Sequence, residues 1–335
     1  MSMKKHTRNL IILLIVSLFV VFVPGLLINF GIIDAYTAQI FTLAGINAIL
    51  AISVNIISGI TGQLSLGQAG FMAIGAYSSI LLTQALHFPL PLSVLAAGGI
   101  AAFAGFLIGF PTLKLTGDYL AIVTLGFGEI IRVILINMKD LTGGPNGKRF
   151  ITALLASPGL SWIVVIGTLV LIVILLQNFL RSTYGRAILS VREDEIAADS
   201  NGINVFKYKM IGFVIASFVA GIGGALYAPF IGFVKPDMGS FVKSIDYLIY
   251  VVLGGMGSIT GSILAAFVLT YLQEFLRFLK DFRLVIYPVI LILVMLFRPQ
   301  GLLGMTEFSF IGLWEKLRGK KLAAATNKSS SKERQ

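Results

Sequence analysis

The sequence predicts an all-α, polytopic integral membrane protein with about ten transmembrane helices, eight or nine being the alternatives. Three observations carry that prediction. Hydrophobic residues make up 57% of the 335-residue chain and charged residues only 12%, where a soluble domain holds about 25% charged residues. No Asp, Glu, Lys or Arg stands between Asp34 and Lys114, and at about 20 residues per span such a run holds several crossings. The Lys and Arg residues are also unevenly placed: with the spans assigned below, 17 fall on one side and 8 on the other, with Arg132 inside a span. By the positive-inside rule the richer side is cytoplasmic, which puts both termini there.

Composition also excludes. The net charge is +11, but the cations sit at segment ends and in the tail, a placement that suits anionic lipid rather than nucleic acid. The absence of cysteine removes disulfides, thiolate chemistry and iron–sulfur clusters together. His6 and His87 lie far apart and make no metal set. We expect this chain to bind no metal and no cofactor of its own.

Residues 1–9 read as a short cytoplasmic tail. The first span, about Leu10 to Phe30, is too long for a signal-peptide core and lacks a small-x-small cleavage site, so it is expected to stay in place. The second runs from about Thr37 to Ile57. The Gly-rich stretch Ser58 to Gly70 then opens a third, which ends near Leu86 at the turn His87-Phe88-Pro89-Leu90-Pro91. A fourth reaches about Phe110, a fifth spans Tyr119 to Asn137, and Met138 to Leu160 is the longest outer loop. Spans six and seven are Ser161 to Leu180 and Met210 to Phe230. An apolar piece, Tyr247 to Leu253, is broken by Gly254-Gly255-Met256-Gly257-Ser258 before a ninth span to about Phe275. The last run, Leu284 to Phe297, is short and contains Pro288; Arg283 and Arg298 can snorkel to lengthen it. Residues 10–304 therefore form the membrane domain, and 305–335 a basic cytoplasmic tail of disordered composition. Gly-rich breaks recur at Gly59, Gly62, Gly67 and Gly70, and at Gly254, Gly255, Gly257 and Gly261. Paired breaks point to a transport path, and tight helix packing explains them equally.

Between spans six and seven lies the one densely charged internal segment, Arg181 to Lys209. It reads as a single amphipathic helix with Ile188, Val191, Ile196 and Ala198 on its apolar face and Asn201-Gly202 as a stop signal. Glu193, Asp194, Glu195 and Asp199 would be repelled by an anionic leaflet. The segment suits a docking surface for a soluble partner; a solvated connector is the plainer reading.

No enzyme signature is present. Gly144-Pro145-Asn146-Gly147-Lys148 ends like a phosphate-binding loop, but Thr142 replaces its first Gly and Arg149 its Ser/Thr. Glu129 and Arg132, three residues apart in span five, share a helix face and form the expected intramembrane ion pair. Unpaired acids inside spans are otherwise missing, which argues against an ion-driven carrier. The groups that can line a path are neutral: Asn47, Asn55, Gln63, Ser65, Gln68 and Thr124. Gln63 and Ser65 stand before a helix N-terminus, which favours a carboxylate; hydrogen bonding to neighbouring helices is the alternative role.

Ile60-Thr61-Gly62-Gln63-Leu64-Ser65-Leu66-Gly67-Gln68-Ala69 resembles the TGQ-x-SLG signature of branched-chain amino acid ABC permeases. Gly117 to Gly126 and Leu141 to Gly147 are similar to the LivM-type subunit rather than its LivH-type partner. Tyr184-Gly185-Arg186 to Gly202-Ile203-Asn204 resembles that family's cytoplasmic loop, and Arg298-Pro299-Gln300-Gly301-Leu302 its close. The resemblance implies a non-hydrolysing subunit in a bacterial cell membrane. Its implied partners are a LivH-type permease, two cytoplasmic ATPase subunits that use ATP and Mg, and an extracytoplasmic substrate-binding protein. It makes 181–209 the ATPase-coupling loop, with Arg186, Arg192, Glu193, Asp194 and Glu195 as docking contacts, and Ala197, Ala198 and Gly202 matching the Glu-Ala-Ala-x-x-x-Gly pattern. Ile196 stands where that pattern has Glu, and Glu195 comes one residue early. A urea or short-amide permease is the alternative cargo reading, and an ATP-independent channel or carrier the alternative class.

Overall fold

The computed structural model describes residues 19–150, 157–298, 301–302 and 304. The terminal tails, the first part of span one and Pro299-Gln300 lie outside them. The helices of the bundle are α1 (Phe19–Asn29), α2 (Ala35–Val54), α3 (Gln68–Gln84), α4 (Leu90–Thr112), α5 (Asp118–Asn137), the single turn α6 (Lys139–Thr142), α7 (Pro158–Arg181), α10 (Val205–Ile231), α11 (Phe241–Gly254), α12 (Ile259–Phe275) and α13 (Arg283–Phe297), with α8 (Thr183–Glu193) and α9 (Glu195–Ser200) in the segment between α7 and α10. Among the described residues, six stretches are long and apolar enough to cross a membrane: α2 with its continuation to Ile60, α4, α5, α7, α10, and α12 with its continuation to Lys280. The chain is thus a nearly all-α, multi-pass membrane protein. The other four expected spans appear as the shorter helices α1, α3, α11 and α13.

The core is α10 inserted among α2, α3 and α4, with α12 and α7 packed on α2. In lipid no hydrophobic force joins helices, so close backbone approach must supply the packing. Small residues permit it: a Cβ on Gly75 would collide with the Gly221 backbone, and one on Gly224 with the Met72 carbonyl.

Two irregular stretches follow α2 and α10. After α2, residues Asn55–Ile60 wind as a π-helical turn, and Thr61 to Gly67 is an irregular loop with Gly62 in the left-handed region and Gln63 and Ser65 buried. After α10, Gly232 in the left-handed region ends the helix. A two-residue strand β2 (Phe233–Val234) then pairs antiparallel with β1 (Lys148–Arg149), and a 3₁₀ turn Pro236–Gly239 leads into α11. The first stretch buries Thr61, Gln63 and Ser65 among the helices, as irregular backbone at membrane depth requires, whereas the second leaves Phe233, Lys235 and Asp237 exposed.

The segment 181–209 departs from the single helix expected. α7 runs to Arg181, and the segment then holds α8 (Thr183–Glu193) and α9 (Glu195–Ser200) before α10 starts at Val205. Three polar side chains cut it. Ser182 caps α8, Asp194 leaves helical geometry and caps α9 by accepting from Ile196 N (2.9 Å) and Ala197 N (3.0 Å), and Asn204 caps α10. The break rotates the apolar face: Ile188, Val191 and Ala198 are buried, but Ile196 is 80% exposed.

Candidate translocation and coupling site

The two Gly-rich breaks meet. Asn55, fully buried at the end of α2, accepts a hydrogen bond from Gly257 N (2.8 Å) and donates to the Ser258 carbonyl (3.0 Å). A Cβ on Gly59 would strike both Asn55 and the Gly257 backbone. The C-terminal Gly301-Leu302 closes on the same place, with Leu302 N donating to the Leu253 carbonyl at 2.7 Å. Both faces of the Asn55 amide are therefore spent on backbone.

Arg192, expected among the docking contacts, turns inward to this junction. Its side chain passes 3.0 Å from where a Cβ on Gly62 would sit, and its guanidinium 3.0 Å from one on Gly257. Glycine at those two positions, both at positive φ, leaves room for it, and a side chain there would push it aside. Arg186 is exposed and bonds its own loop, donating to the Arg181 carbonyl (2.8 Å). Glu193, Asp194, Glu195 and Ala197 are exposed; Ala198 is buried. Glu195 pairs with buried Lys209 of α10 at 2.5 Å, tying α9 to a membrane helix. Gly202 holds a left-handed φ of 79° with open space around it, and ends the segment.

The signature loop is fixed by α5. Thr124 Oγ1 accepts from Leu66 N (3.1 Å) and donates to the Ala121 carbonyl, and Gly67 lies against the Thr124 carbonyl. At α3, Ala69 N donates to Ser244 Oγ (3.1 Å), so one of the N–H groups a carboxylate would use is taken. Gln68 Oε1 accepts from Ser53. The Gln63 amide, Ser65 Oγ and Gln68 Nε2 are buried and find no partner among the described residues.

Glu129 and Arg132 pair at 2.7 Å, and the pair extends further than the sequence indicated. Arg132 also reaches Asp237 (3.1 Å), and the second Glu129 oxygen accepts from Phe241 N (3.0 Å), the first residue of α11. A carboxylate against a helix N-terminus is favoured by the unpaired N–H groups and the dipole there. The network joins α5, the 3₁₀ turn and α11.

Two cavities lie between α2 and its neighbours. One, 370 Å³, opens near Tyr36, Pro158 and Ile231. The other, 210 Å³, is lined by α2, α3, α10, α11 and α12, with Met238 of the 3₁₀ turn and Arg283 at the start of α13, and shares Ile40, Leu43 and Glu274 with the first. Asn47 lines the second and donates to Thr270 Oγ1 (2.9 Å). Asn55, Gln63, Ser65, Gln68 and Thr124 line neither. Lys243 and Asp246, which also line it, fall outside the spans assigned from the sequence, between Phe230 and Tyr247. The signal was present: Lys243, Asp246, Tyr247 and Tyr250 recur at helical spacing, a polar face on one helix.

The sequence matches the family described as branched-chain amino acid transport system / permease component over residues 36–297. It is 40% identical over 300 residues, 81% of this chain and 71% of the relative, to the high-affinity branched-chain amino acid transport system permease protein LivM of Escherichia coli K12. The corresponding LivM of Salmonella typhimurium is 38% identical over the same coverage. The high-affinity permease protein LivH of Escherichia coli K12 is 26% identical over 293 residues, 79% of this chain and 94% of the relative. No solved structure matches. By the extent of these matches, the chain belongs to the branched-chain amino acid transport system permease family.

Proposed function

We propose that this chain is the LivM-type permease subunit of an ATP-driven importer of leucine, isoleucine and valine. It pairs with a LivH-type permease, receives cargo from an extracytoplasmic binding protein and docks two cytoplasmic ATPase subunits, which use the ATP and Mg. It hydrolyses nothing itself. The α8–α9 face is then cytoplasmic, with both termini on that side and the β1–β2 ribbon outside.

The observation that carries the coupling role is the two-sidedness of α8–α9. Its outer side presents Glu193, Asp194 and Ile196 to a partner, while Arg192 and Glu195 grip the membrane domain. A rigid lever of this kind transmits a rigid-body displacement of the ATPases into the bundle. The family membership and the LivM relatives support the cargo class.

The test is uptake of labelled leucine and labelled urea into vesicles holding the complete complex, with and without internal ATP. ATP-dependent leucine uptake, competed by isoleucine, is the expected result. Urea uptake alone would change the cargo, and uptake indifferent to ATP would overturn the coupling role.

A further inference from the structure

The 210 Å³ cavity has the chemistry of a binding site rather than a packing defect. An apolar void in a membrane bundle is lined by hydrocarbon; this one brings side chains of both charges and several neutral hydrogen-bonding groups together. On α11, Lys243 and Asp246 stand one turn apart and pair loosely at 3.3 Å, with their side chains 52% and 26% exposed. Such a pair is worth little and opens at little cost. Glu274 on the facing α12 is held through Oε1 by Arg277 and Tyr36, and Arg283 adds a second cation to the lining. Asn47, Thr270 and Gln273 supply neutral polar atoms, and Ile40, Leu43 and Met72 an apolar wall.

Size and position narrow the ligand. At 210 Å³ the space is below the range of about 300–1,000 Å³ that holds drug-sized ligands, and suits a molecule of amino-acid size. Tyr247 closes it against Met72, its hydroxyl donating to the thioether sulfur at 3.1 Å. Along α2, Asn47 lies eight residues before Asn55, about 12 Å at ~1.5 Å per residue. The cavity therefore stands about two helical turns from the junction that Arg192 touches, on the same helices.

We infer that this cavity is a site within the single subunit for a zwitterionic α-amino acid with an apolar side chain. Asp246 takes the ammonium, Lys243 the carboxylate, and Ile40, Leu43 and Met72 the side chain, the internal ion pair being exchanged for two pairs with the ligand. This rests on the import reading above and adds where the cargo is held within the membrane domain.

The experiment uses the complete complex in proteoliposomes, with a diazirine analogue of leucine as the probe. Photolabelling of the unsubstituted complex, mapped by mass spectrometry, is expected within 40–47 or 243–250 and is competed away by leucine. Asp246→Asn and Lys243→Gln, which keep size and remove charge, are expected to lower the maximal uptake rate roughly 10-fold or more, the scale of one charge-assisted hydrogen bond. Basal ATP hydrolysis by those complexes reports that they assemble. Leucine-competed labels confined to other segments, or full uptake by both variants, overturn the site and leave the import reading standing. No ATP-dependent leucine uptake by the unsubstituted complex overturns the import reading, and the assignment of this ligand with it.

Discussion

Asn55 and Gly257, 202 residues apart in sequence, are joined by a 2.8 Å hydrogen bond, and the same amide donates to Ser258. One side chain thus satisfies two backbone groups at the point where α11 stops and α12 starts. Asn55→Leu fills similar space but removes the acceptor of Gly257 N, at about 1–3 kcal/mol, while the Ser258 carbonyl keeps its bonds from Ser262 N and Oγ. A lowered thermal midpoint of the purified complex is the expected outcome. An unchanged midpoint would show that the junction is held by other means.

Arg192 should behave as a transmission element. Arg192→Ala removes the side chain lodged between Gly62 and Gly257 while leaving the exposed side of α8–α9 intact. The ATPases should still bind and hydrolyse, and uptake should fall. Parallel loss of hydrolysis and ATPase binding would instead place Arg192 in the docking contact.

Ile196 makes the opposite case. It is 80% exposed, so Ile196→Asp costs the fold nothing in packing. An apolar side chain buried by a partner is worth roughly 1.5–3 kcal/mol, and its loss should weaken co-purification of the ATPases about tenfold or more. Undiminished co-purification would rule Ile196 out of the interface.

Glu129→Gln retains an acceptor for Phe241 N but leaves Arg132 with Asp237 alone. With both side chains about one-third exposed, the expected loss is modest, on the order of 1 kcal/mol. A double variant with Arg132→Met should lose less than the two single variants combined, because the pair is removed together. Strict additivity in thermal unfolding would argue against the pair.

The helices were legible because uncharged runs of membrane length leave few alternatives, and their ends were approximate: the span expected from Ser161 is α7, which begins at Pro158, and the span expected to end at Phe230 is α10, which ends at Ile231. The divided charged segment was half legible. Asp194 and Asn204 are good caps, but the charge density around them reads as one amphipathic face until the caps are given priority. Arg192 was not legible as an inward group, because its space is made by glycines 130 and 65 positions away in sequence. Lys243 and Asp246 fall outside the spans assigned from the sequence, because charge is the usual mark of a membrane exit. Here α11 starts at Phe241, beside Glu129, which stands eleven residues along α5 from Asp118, about 16 Å at ~1.5 Å per residue.

The Asn55 junction also sets an order of events during synthesis. A chain grows at about 5–20 residues per second, so α2 waits roughly 10–40 seconds for Gly257 and Ser258 to be made. Through that interval a buried amide on an early helix lacks its native partners, and only the last helices release it. A chain stopped at Ser240 keeps α2 to α10 but never gains the junction. In a pulse–chase experiment it should be degraded faster than the full chain, and co-expression of residues 241–335 as a separate piece should lengthen its life.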